Sequence, residues 1–142
     1  MQSVIFRYGS DNVTEYELTT LGLIGENSER KALLYVRKND VLLDGYPIEV
    51  RDGRLLSFDM LAEENDISAW EGDYNSQEMA ADGDGYYLSM QYENDYLFSS
   101  GYMAFPEGYE QGSKAIIDFF ETLAGQGPDT SFAQDSGEKT AE

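Results

Sequence analysis

Neither cysteine nor histidine occurs anywhere in the chain. Their absence excludes disulfides, thiolate nucleophiles, Cys/His zinc sites and Ser-His-Asp triads, and it leaves any proton transfer near neutral pH to carboxylates, lysine or tyrosine. Long apolar runs are missing as well. No stretch approaches the roughly 20 residues that span a bilayer, so no membrane partner is expected. Residues 1–20 alternate polar and apolar instead of placing a basic start before a greasy run. That pattern predicts no export signal there, and with the lack of cysteine it predicts a soluble, cytoplasmic protein.

Positive charge is scarce, and its placement matters more than the formal total of −19. Residues 1–54 hold 7 basic and 9 acidic side chains, whereas residues 55–142 hold 2 basic (Lys114, Lys139) and 19 acidic. The second half is the acidic half. Direct binding to DNA or RNA through phosphates is not expected on this ground, because such contacts need clustered lysine and arginine. A protein partner with a basic surface is compatible with it.

The 142 residues, 41% of them hydrophobic, suffice for one sizeable core. "SVIFRY" and "TEYELTT" flank "GSDN" and alternate, with Val4, Phe6 and Tyr8 on one face and Tyr16 and Leu18 on one face, which reads as a hairpin. "KALLYVRK" is apolar on both faces, as an inner strand is. "YPIEV" follows the Asp44–Gly45 turn, and Pro47 places it near an edge because proline has no ladder donor. From Asp52, a residue suited to cap a helix, Leu56, Met60 and Leu61 recur at helical spacing with Leu55 beside them, predicting a helix that ends by Asn65 or Asp66. "DISAWEG" is read as an extended piece that buries Ile67 and Trp70, and residues 71–85 as a long surface loop.

In "GYYLSMQYENDYLFSSGYM" a turn at Asn94–Asp95 would place Tyr92 opposite Leu97 and Gln91 opposite Phe98. Leu88, Met90, Tyr92, Leu97, Ser99 and Gly101 then share a face, the last two small enough for a helix to approach. "EGYEQGSKAIIDFFETLAG" supplies that helix, with Tyr109, Ile116, Phe120 and Leu123 as its stripe, Ile117 and Phe119 widening it, and Gly125 as its stop. The fold expected is two-layer α+β: an antiparallel sheet of about five to six strands with two helices packed on one face, in a single domain over residues 1–125. Residues 126–142 lack periodicity and read as a disordered acidic tail.

The succession "ISAWEGDY", an Asp-Gly turn into "GYYLSMQY", a charged hairpin tip, then "SSGYMAFPEGY" and a closing amphipathic helix resembles a group of small proteins from anaerobic Gram-positive gut bacteria. The resemblance covers roughly residues 46–124 and implies a shared fold. It implies no activity.

Eight carboxylates fall between residues 63 and 84 with no basic residue among them. They include Asp82 and Asp84 in "DGDG", the weak candidates for a calcium site, since calcium takes oxygen ligands. An EF-hand loop counted from Asp82 fails at positions 5 and 6, which are Tyr86 and Tyr87, so no metal and no cofactor are expected. Trp70 and Tyr74 could stack on a ligand. Tyr87, Phe98 and Tyr102 fall on the hairpin face opposite Leu88, Met90 and Tyr92, where they either form a partner surface or lie beneath N-terminal strands that curl over them. The function expected is a non-enzymatic interaction module with an aromatic sheet face and an acidic loop. The alternatives are an acidic inhibitor or immunity-type protein that blocks a basic partner and a carboxylate-dependent hydrolase.

Overall fold

A computed structural model of the chain describes residues 1–24, 29–75 and 84–127. Eight strands form a mixed sheet: β1 (Ser3–Gly9), β2 (Val13–Ile24), β3 (Glu29–Lys38), β4 (Val41–Leu42), β5 (Ile48–Arg51), β6 (Gly72–Asn75), β7 (Gly85–Gln91) and β8 (Tyr96–Tyr102). Helix α1 (Gly53–Glu64), a 3₁₀ turn over Ile67–Trp70 and helix α2 (Tyr109–Gln126) complete the described elements. The strands lie in the order β4-β3-β2-β1-β7-β8-β6, with β5 pairing β3 beside β4. The two-layer α+β architecture is as expected, but the sheet is larger and one edge is parallel.

Alternation decides which residues enter the core. Val4 and Phe6 of β1, Tyr16 and Leu18 of β2, Leu34 and Val36 of β3, and Leu88 and Met90 of β7 are buried in one cluster with Leu55 and Phe58 of α1 and Ile116, Phe120 and Leu123 of α2. Both helices therefore cover the same face of the sheet. The Tyr16 and Phe120 rings stack across the two layers with centroids 4.9 Å apart.

Several local readings change. The hairpin β7–β8 pairs Met90 with Leu97 and Gln91 with Tyr96, and Tyr92 N–H donates to the Asp95 carbonyl, so the tip is Glu93–Asn94. The expected register is off by two residues, an even slip that leaves every side chain on its expected face. In α1 the buried residues are Leu55, Phe58 and Ala62, while Leu56 and Met60 are 62% and 56% exposed. Asp52 stands at the N-cap without a side-chain hydrogen bond to the helix; its carboxylate faces Arg30 at 3.4 Å instead. "ISAW" is a 3₁₀ turn, not an extended piece, although Ile67 and Trp70 are buried as expected. Residues 72–75, read as loop, are β6, which runs parallel to β8. Helix α2 continues past Gly125 to Gln126 and is capped by Gly127. Residues 128–142 lie outside the described residues, as do 76–83.

Candidate functional site

The N-terminal strands do not curl over the aromatic hairpin face. Strand β1 pairs edge to edge with β7, Arg7 opposite Tyr87 and Ile5 opposite Ser89, so β1 to β3 extend the sheet in its own plane. Ile5, Leu33, Tyr35, Tyr87, Phe98 and Tyr102 are all half-buried, and none belongs to the helix-side core. No described element lies over them.

This open face has two halves with different chemistry. On β7 and β8, Tyr87 and Phe98 meet edge to face with centroids 5.1 Å apart. Tyr102 pairs with Gly85, and a Cβ built on that glycine would lie 3.7 Å from the Tyr102 ring. The Tyr102 ring thus lies beside this glycine at van der Waals distance. Tyr96 shares this face by its even offset from Phe98 and is 62% exposed. It was not singled out from the sequence, although the same alternation that selected Phe98 also selects Tyr96.

On β1 to β3 the face is ionic. Arg37, Glu15, Arg7, Tyr87, Ser100 and Asp73 stand side by side in one row across six strands. Arg37 reaches Glu15 at 2.7 Å and Glu17 at 3.0 Å, while Arg7 reaches Glu15 at 3.1 Å and Asp40 at 2.6 Å. The Arg37 guanidinium lies 5.0 Å from the centre of the Tyr35 ring. Its hydrogen bond with Arg7 holds the Asp40 carboxyl below the usual carboxylate range. The two arginines thereby hold Glu15, Glu17 and Asp40 in one ion-pair network on this half of the face.

The remaining expected site residues fall elsewhere. Trp70 is 1% exposed. It packs against Tyr86 and Tyr109 with centroids 6.3 and 5.3 Å away, and its carbonyl accepts the Ser99 hydroxyl at 2.6 Å. Because that hydroxyl has its one proton on the Trp70 carbonyl, Tyr86, 2.6 Å away, donates to Ser99. Trp70 is thus a core anchor and presents no platform to a ligand. Ser99 is fully buried and ties β8 to the 3₁₀ turn through its hydroxyl. Tyr74 sits on β6 opposite Gly101, on the helix side of the sheet edge, apart from Tyr87 and Phe98. Asp82 lies outside the described residues. Asp84 is exposed, and its carbonyl accepts the Met103 N–H at 2.8 Å. Among the described residues no three carboxylates converge as a metal ion would need, and no helix is long and apolar enough to cross a membrane.

Compared with protein-family models, with curated proteins and with solved structures, the chain matches none.

Proposed function

We propose that the chain is a non-enzymatic interaction module that receives a protein partner on the open face of its sheet. The observation that carries this reading is the pairing of Tyr87 with Phe98, beside the exposed Tyr96, on the face opposite both helices. Tyrosine suits such a surface, since it offers a large apolar area and a hydroxyl that stays hydrogen-bonded to water when the face is free. Carboxylates dominate the rest of the chain, which favours a partner whose contact surface is basic and steers its approach.

The experiment is site-directed photocrosslinking in the cell of origin with a benzophenone amino acid at Phe98, at Tyr96 and, as a control, at the exposed helix position Leu56. The expected result is one defined adduct shared by Phe98 and Tyr96 and absent from Leu56. Equal labelling from all three positions, or none from the sheet, would remove the proposal. The inhibitor alternative predicts in addition that the captured complex dissociates steeply with added salt, because its contacts would be mainly ionic.

A further inference from the structure

A concavity lies between the β1–β2 turn and the first turns of α2. It is an open groove of about 550 Å³, within the range of small-ligand sites. Tyr8 at the end of β1, Phe105 in the β8–α2 connection and Tyr109 at the start of α2 line it. Asp11 from the turn and Asp84 from the entry to β7 line it too, and no lysine or arginine is among the described residues that line it.

The aromatic lining is organised. Phe105 and Tyr109 stack with centroids 4.6 Å apart, and Tyr86 supports both from beneath at 5.8 and 4.7 Å. The left-handed Gly108 (φ 82°) and the positive φ of Met103 (58°) turn the chain so that Phe105 lies against Tyr109 while remaining 40% exposed. Burial, followed by neighbouring Tyr86, holds the Tyr109 hydroxyl above its ordinary range, so the ring stays a neutral phenol. The acidic side chains that line this groove are those of Asp11 and Asp84.

We infer that this groove binds a methylated ammonium group, its positive charge set against the Phe105, Tyr109 and Tyr8 rings and neutralised by Asp11 and Asp84. Such a group is weakly hydrated and apolar at its surface, so it gains from ring faces and from long-range attraction to carboxylates without needing a directed hydrogen bond. A metal ion would be better served by three or more converging carboxylates, which the described residues do not bring together here. The group could be carried by a small molecule or by a methylated lysine of a protein, and the two sources are separable by experiment.

The test titrates the full chain with choline and with its neutral isostere 3,3-dimethylbutanol, following backbone amide resonances. It then compares short peptides bearing trimethyllysine or unmodified lysine. The expected result is saturable choline binding at about millimolar concentrations or tighter, shifting Gly9, Gly85 and Ser113, with the neutral isostere about tenfold weaker. Preference for the trimethyllysine peptide over choline assigns the protein source, and the reverse assigns the small molecule. Phe105→Leu keeps apolar volume and removes the ring, and should weaken choline about tenfold. Asp84→Asn, at an exposed position, should weaken it severalfold and flatten its salt dependence. Equal binding of the isostere, or no shift at these residues with choline in the tens of millimolar, overturns the inference.

Discussion

Two glycines of α2 show how one hydrogen atom can decide packing. Gly112 is buried, and a Cβ there would stand 2.5 Å from Cζ2 and 2.9 Å from Cη2 of Trp70. A side chain at Gly125, in the last turns of the same helix, would meet nothing within 4 Å. Alanine improves helix propensity at both sites by up to about 1 kcal/mol, but overpacking a rigid indole costs about 1–3 kcal/mol. Gly112→Ala should therefore lower stability by about 1–2 kcal/mol, and Gly125→Ala should raise it by about 0.5–1 kcal/mol. Chemical denaturation of the two variants measures both signs, and a stabilised Gly112→Ala would show that Trp70 does not clamp this helix.

At the scale of elements, helix α1 separates pattern from packing. Its apolar residues surround much of the axis, so spacing alone favours Leu56, Met60 and Leu61, whereas the core takes Leu55, Phe58 and Ala62. Phe58 is fully buried and meets Phe119 and Phe120 at centroid distances of 5.5 and 5.7 Å. Phe58→Ala should cost about 3–5 kcal/mol. Leu56→Lys, on the exposed side, should stay within about 0.5 kcal/mol of the parent. A reversed order in denaturant midpoints would mean that the helix is rotated about its axis.

The same comparison shows what the sequence made legible. Strands β1, β2, β3, β7 and β8 alternate over long enough runs to fix their faces, and helix α2 carries a clean stripe. Tyr87, Phe98 and Tyr102 were legible as one face for that reason, and an even register slip could not disturb it. Strand β6 was not legible, because Gly72, Asp73 and Asn75 are poor strand formers and its pairing is imposed by the free edge of β8. Nor was the groove beside α2. Its rings come from positions 8, 105 and 109, and no local spacing announces that β1 and the β8–α2 connection will meet.

For the whole molecule, charge and buried phenols together set the response to alkali. Burial is the main reason that the hydroxyls of Tyr16, Tyr86, Tyr92 and Tyr109 are held above their ordinary range; a hydrogen bond to Asp59 adds to it for Tyr92. In the unfolded chain these groups ionise near pH 10. Above that pH the unfolded state binds fewer protons than the folded one, so the free energy of unfolding falls as pH rises. Stability from the buried phenols is thus complete below about pH 10 and lost above it. Self-repulsion of a chain at −19 also opposes folding, but it is long-ranged and screened by salt, with a Debye length of about 3 Å at 1 M. Melting temperature should therefore rise with sodium chloride at neutral pH, fall steeply above about pH 10, and not be restored by salt there. Full restoration by salt would assign the alkaline loss to net charge, and an unchanged melting temperature across that range would mean that the four hydroxyls are solvated in the fold.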